Sequence, residues 1–123
     1  MSELSVSSHE QGRFTVVEAN GDIDLISAPV LRGSLESLFR DSRLALIIDL
    51  RGVPFLDSSG LGVLVGAQRA VRPRGGDIRL VCHEPRVLRV FSITGLDQVF
   101  SIYDSPESAI EDGGVKAAAD GAE

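Results

Sequence analysis

The chain reads as one α/β domain on a mixed, mostly parallel sheet whose opening pair of strands is antiparallel. Three observations predict this. Short β-rich apolar runs at Phe14–Ala19, Ala45–Leu50 and Ile78–Cys82 alternate with stretches whose apolar residues recur at helical spacing; strands alternating with helices close into a parallel sheet. Two strand-like runs precede the first helix with only Glu10-Gln11-Gly12 between them, a turn short enough for a hairpin. The length of 123 residues and a 43% hydrophobic share suit one domain with one core, which is aliphatic because aromatics make up only 5%.

Taken in order, Leu4 and Val6 alternate with serines, as in a half-exposed strand, and Phe14 to Ala19 is its partner. Asn20-Gly21 is by itself a hairpin-turn signal. Ser27 stands where it can cap the next helix, with Pro29 in the first turn, and Leu31, Leu35, Leu38 and then Phe39 form its apolar face. Ala45 to Leu50, interrupted only by Asp49, suits a strand buried on both faces. Val53, Phe55 and Leu56 carry the chain along the sheet edge to Asp57-Ser58-Ser59-Gly60, a cluster of helix-starting residues. Behind it Leu61, Leu64 and Val65 share a face, with Ala67 and Val71 nearby. Pro73-Arg74-Gly75-Gly76 is a stop, and Ile78 to Cys82 is the next strand. Pro85 opens a helix with Val87, Leu88 and Phe91 inward, ended by Thr94-Gly95 in the left-handed manner. Val99 to Ile102 is a last short strand. Ser105-Pro106-Glu107 caps and starts a helix reaching Ile110. The domain is placed at residues 1–112; from Gly113 the sequence GGVKAAADGAE has no packing pattern and is read as a mobile tail, 113–123.

The formal charge of −6 argues against nucleic acid as a partner. Between residues 69 and 89, six arginines face two acids, a local +4. It is either ordinary solvated charge or a patch for an acidic partner, and no aromatics interleave it for base stacking. The single cysteine, Cys82, reads as a buried core thiol that suits a reducing cytosol. The N-terminus shows no signal peptide, and no apolar run approaches the ~20 residues of a membrane span. Asp22 and Asp24 offer too few oxygens for a metal. Gly60-x-Gly62-x-x-x-Gly66, with Glu84 after the next strand, loosely resembles a dinucleotide fingerprint. Its first glycine should follow the strand at once, yet nine residues separate Leu50 from Gly60, and Lys116 is the only lysine. Ser59 lacks the nucleophile-elbow glycines. His9 and His83 stand in no recognised motif and read as surface or strand-end residues. No catalytic residue and no cofactor are expected.

The helix after Asp57 is unusual in carrying Gly60, Gly62 and Gly66, each costing roughly 1 kcal/mol against Ala in a helix interior. They serve close packing on the sheet, close approach of a partner, or both. The serines are either caps or acceptors. A phosphate there would bring a charge of about −1.5 to −2 to exposed N–H groups and the positive end of the helix dipole, opposed by Asp57 and by any acidic or apolar partner surface. Physical reasoning does not separate Ser58 from Ser59.

LIIDLRGVPFLDSSGLGVLV resembles the central signature of the STAS domain, specifically of bacterial anti-sigma factor antagonists. GDIDLISAPVLR at 21–32 and VLRVFSITGLDQVFSIYDSPESAI at 87–110 support the likeness, which covers residues 3–111. The resemblance implies the STAS (SpoIIAA-like) fold with helices mainly on one face of the sheet. It implies that the second strand runs on through Ile23 to Leu25, with Gly21 a bulge or kink. It implies that Ser59, directly before the glycine, is phosphorylated by a partner kinase, and that Asp24 lies near it and helps in partner recognition. The implied partner surface comprises Asp24, Asp57, Ser58, Ser59, Gly60 and Leu61, with Leu61 and Gly62 alternatively serving packing. The implied partner is an anti-sigma factor that is also an ATP-dependent serine kinase. The unmodified chain would bind it and free a sigma factor, phosphate on Ser59 would end the binding, and a serine phosphatase would restore it. The chain would then be a cytoplasmic substrate and binder, not an enzyme, with no nucleic acid or membrane partner. The alternative within the family is an interaction module without phosphorylation, against which the intact Asp57-Ser58-Ser59-Gly60 motif counts.

Overall fold

The alternation of apolar runs and amphipathic stretches resolves into strands β1 (Ser5–Gln11), β2 (Phe14–Asn20), β3 (Ala45–Gly52), β4 (Asp77–Val81) and β5 (Ser101–Tyr103). The helices are α1 (Ala28–Arg40), α2 (Ser58–Val71), α3 (Pro85–Thr94) and α4 (Pro106–Glu111). The structure, a computed structural model, describes residues 3–112; the tail expected at 113–123 lies outside them. The sheet order is β1-β2-β3-β4-β5. β1 and β2 are antiparallel and every other pair is parallel, as the alternation predicts.

The main core lies between the sheet and α1, α2 and α3. There Val17, Ile48 and Leu80 meet Leu31, Leu35, Leu64 and Phe91, each worth about 1.5–3 kcal/mol when fully removed from water. Phe91 and Phe100 meet edge to face at 6.3 Å. On the other face, among the described residues, only α4 packs, its Ala109 against Phe14, Val16, Ile47 and Val81. β3 is thus covered on both sides. Asp49, which interrupts its apolar run, is buried, and one carboxylate oxygen accepts from the Arg51 amide (3.0 Å) and Nε (2.9 Å), the other from Nη2 (2.7 Å). The helices lie mainly on one face.

Four local expectations are corrected and one is extended. β1 runs through Glu10 and Gln11, which pair with Thr15 and Phe14. The turn is Gly12-Arg13, with Gly12 at φ +62°, because an exposed edge strand shows no apolar alternation to mark its end. β2 stops at Asn20 instead of continuing to Leu25. Gly21 is the expected kink, at φ +116°, and its amide donates to the Gly52 carbonyl at 3.0 Å. Beyond it only Ile23 pairs, in a single parallel bridge to Leu56. Val63 joins the inward face of α2 beside the half-buried Val65, which packs against the core as expected, because α2 is flanked by α1 as well as by the sheet and buries a wider stripe. β5 begins at Ser101 rather than Val99, since Leu96–Gln98 form a 3₁₀ turn that holds Val99 and Phe100 back by amide bonds to Leu96. Arg79 is not solvated charge: it is buried, 4.7 Å above the Phe14 ring, and donates to Asp77 and to the Ala109 carbonyl. It shares a face with Val81 two residues on, so it fastens α4 to the sheet.

Candidate functional site

The site is built where β3 leaves the sheet. Leu56 returns to the sheet through its bridge to Ile23, and Asp57 follows in extended geometry as the N-cap of α2. Its Oδ1 accepts from the Ser59 amide at 2.8 Å and the Gly60 amide at 3.4 Å, and its carbonyl accepts from Leu61 at 3.1 Å. The carboxylate therefore performs the capping. Ser58 and Ser59 are the first two helical residues, and among the described residues neither hydroxyl has a hydrogen-bond partner. Ser58 is exposed and Ser59 half-buried. Two of the first-turn amides that a phosphate would meet, those of Ser59 and Gly60, are already held by Asp57, because a carboxylate at the cap position satisfies orphan donors of the first turn.

Asp24 arrives from the other side. Its Oδ1 accepts from the amides of Ile26 and Ser27, both at 3.0 Å, while its own amide donates to Ser27 Oγ at 2.9 Å. The Ser27 hydroxyl donates to the Asp22 carbonyl at 2.8 Å. Ser27 thus occupies the N-cap position of α1 without the expected side-chain cap, its oxygen being engaged in the turn before it. The Ser27 amide holds the Asp24 carboxyl below the usual aspartate range, outweighing the opposing desolvation, so Asp24 is charged at neutral pH.

Long-range bonds join the two segments. The Ile23 amide donates to Phe55 O at 3.0 Å and the Asp57 amide to Ile23 O at 3.2 Å. Gly60 completes the junction: a Cβ there would fall against Leu56 Cδ1 and 2.7 Å from Ile23 Cγ2, so close packing accounts for this glycine. It does not account for Gly62 or Gly66, where an added Cβ would meet nothing within 4 Å. Both are exposed and line a groove with Arg32, Glu36 and Phe39 of α1.

Of the six residues read as partner surface, Asp24, Asp57, Ser58 and Ser59 reach solvent, whereas Gly60 and Leu61 are buried. Leu61 takes the packing role, being the apolar residue of the first turn that faces the core. Pattern reading does not mark Leu25, Ile26 and Phe55 as surface. All are exposed on the two segments that the Ile23–Phe55 and Asp57–Ile23 bonds join, and the legible signal for the first two was the Asp-x-x-Ser pattern at 24–27, a turn that leaves its two middle side chains outside. Cys82 is buried, and desolvation raises its pKa. Among the described residues no cluster of His, Cys, Asp or Glu could hold a metal ion, and no helix is long and apolar enough to cross a membrane.

Comparison with known proteins agrees with this geometry. The STAS domain family model matches residues 5–109. The chain is 41% identical over 100 residues to the anti-sigma-B factor antagonist of Bacillus subtilis, covering 81% of this chain and 86% of that one. A crystal structure of an anti-sigma factor antagonist from Mycobacterium paratuberculosis superimposes with a TM-score of 0.81 at 30% identity, over 88% of this chain and 92% of the other. The unphosphorylated anti-sigma factor antagonist SpoIIAA, at 20% identity and a TM-score of 0.68 over 86% of this chain and 94% of its own, shares the fold.

Proposed function

The chain belongs to the STAS domain family, among its anti-sigma factor antagonists, and on that premise we propose that it is a switch set by phosphate on Ser59. Unmodified, it binds an anti-sigma factor that is also a serine kinase, and the sigma factor is released. The kinase then moves the γ-phosphoryl group of ATP to Ser59 Oγ. The Oγ–P bond forms, the bond between the γ-phosphorus and the bridging oxygen breaks, ADP leaves, and the hydroxyl proton passes to a base of the kinase. A serine phosphatase hydrolyses the ester and restores the binding form. The chain contributes an acceptor and a surface but no catalytic group, and a reaction that consumes ATP and governs sigma factors belongs in the cytoplasm.

One observation carries this reading: Asp57 holds the cap of α2, so the serine hydroxyls beside it have no structural task. The same bond explains why phosphate would release the partner. A charge of about −1.5 to −2 would enter beside Asp57, whose carboxylate already occupies the nearest amides. The phosphate keeps its water, and stripping that water at an interface opposes docking.

Ser58 is the second candidate acceptor, because it is the more exposed of the two. The test is capture of partners from native cytosol with and without ATP, followed by phosphate mapping on the wild type, Ser58→Ala and Ser59→Ala. A kinase-fold protein should be recovered, and Ser59→Ala should still bind it while taking no phosphate. Ser59→Asp should weaken binding incompletely, since one carboxylate carries less charge than phosphate. Label on Ser59→Ala moves the site to Ser58, and absence of label on the wild type leaves a non-phosphorylated interaction module.

A further inference from the structure

Exposed apolar side chains are ordinary when scattered and informative when gathered. Among the described residues six large apolar side chains are exposed, and four of them lie on the two segments that meet at the start of α2: Leu25 is 72% exposed, Ile26 84%, Phe55 50% and Val30 49%. The bonds from Ile23 to Phe55 and from Asp57 to Ile23 hold the first three around the start of α2, and the Ala28 amide, donating to Asp24 O at 2.8 Å, adds the first turn of α1 with Val30. Folding does not ask for this chemistry. The Asp24 and Ser27 side chains close the turn between them, so polar residues at 25 and 26 would serve the backbone equally well.

We propose that Leu25, Ile26 and Phe55 form an apolar collar around the Ser59 hydroxyl that seats in an apolar hollow of the same kinase-type partner, and that this collar supplies most of the affinity. The proposal rests on the reading of Ser59 above. Charge selects the occupant. Asp24 and Asp57 stand within the collar, each with Oδ1 engaged by its own backbone. The complementary face is therefore apolar with hydrogen-bond donors or cations at its edge. A second copy of this chain meeting face to face would set these acids against their own counterparts, and an anionic lipid surface would repel them. A kinase gains from such a collar because closing it excludes water from the hydroxyl that must be phosphorylated rather than bypassed by hydrolysis.

The test uses the full chain and the kinase recovered by the capture described above, with Leu25→Ser, Ile26→Ser, Phe55→Ser and the control Ile93→Ser, an exposed apolar residue near the C-terminus of α3. Each collar variant should melt like the wild type yet bind on the order of tenfold more weakly. Each should raise KM for phosphorylation with kcat nearly unchanged, the mark of lost uniform binding; Ile93→Ser should change neither. Unchanged affinity in all three collar variants overturns the proposal. So does wild-type self-association in sedimentation that Ile26→Ser abolishes, or cosedimentation with phosphatidylcholine vesicles that it abolishes, since the occupant is then a second copy or a bilayer. If Ser59 is labelled as expected while the collar variants bind normally, the collar alone falls. If the collar variants lose affinity while Ser59 takes no phosphate, the switch falls and the collar stands.

Discussion

The starts of α2 and α4 are written in similar residues and put them to opposite use. In Asp104-Ser105-Pro106-Glu107 the serine is the N-cap: its Oγ accepts from the Ser108 amide at 3.1 Å and lies 3.0 Å from the Ser108 hydroxyl. In Asp57-Ser58-Ser59-Gly60 the aspartate is the N-cap, and the serines fall inside the helix with their hydroxyls unengaged among the described residues. The start of α1 is a third case, in which Ser27 turns back to Asp22 and Asp24. A serine at a helix N-terminus is thus a structural part when it occupies the N-cap position itself and a chemical handle when it follows a residue that does. A free hydroxyl requires a neighbouring acid that takes the first-turn amides instead.

The comparison can be broken or sharpened at several points. The largest effect belongs to Gly60→Ala: the new methyl group presses on Ile23 and Leu56, both buried, and overpacking of this kind costs about 1–3 kcal/mol, readable as a lower denaturant midpoint. A wild-type midpoint would mean that the junction between the two segments is loose. Asp57→Ala should come next, at about 0.5–2 kcal/mol. Ser105→Ala should cost about 1 kcal/mol by the same mechanism, whereas Ser58→Ala and Ser59→Ala should stay within about 0.5 kcal/mol. If Ser59→Ala costs as much as Ser105→Ala in chemical denaturation, the contrast between the two helix starts is mistaken.

Gly66→Ala should stabilise the chain by up to about 1 kcal/mol, since nothing occupies the space of its Cβ; a lower melting temperature would show that the groove beside α1 closes in solution. The smallest effect is that of Asp24. Its carboxyl is held below the usual range by the Ser27 amide, so the contribution of its charged form is complete above the ordinary aspartate pKa. It is lost as pH falls through the lowered folded value. Exchange protection of the Ile26 and Ser27 amides should follow that acid limb, and fading at neutral pH would contradict the assignment.

Much of the fold was legible locally. The apolar run of β3, the stop at Pro73–Gly76, the left-handed Gly95 and the Ser105 cap all act over a few residues, within reach of pattern reading. Readings failed where a distant segment intervened. Arg79 looked solvated because nothing near it in sequence shows that Phe14 and Ala109 close over it. The second strand looked longer because Ile23 does pair, but only once, before the Asp24 turn diverts the chain. Leu25 and Phe55 looked like sheet residues because periodicity reports that a residue is apolar, not whether anything covers it.

By itself the sequence determined the alternation of strands and helices, the aliphatic core and the acid–serine–serine–glycine start of α2, since backbone preference, capping and period are short-range properties. The tertiary structure alone decided that the segment leading into the Asp24 turn would be bonded through Ile23 to the start of α2, and that Leu25, Ile26 and Phe55 would remain exposed. Those outcomes depend on the pairing of Ile23 with Leu56, a contact across a long loop whose closure entropy only the assembled core can offset.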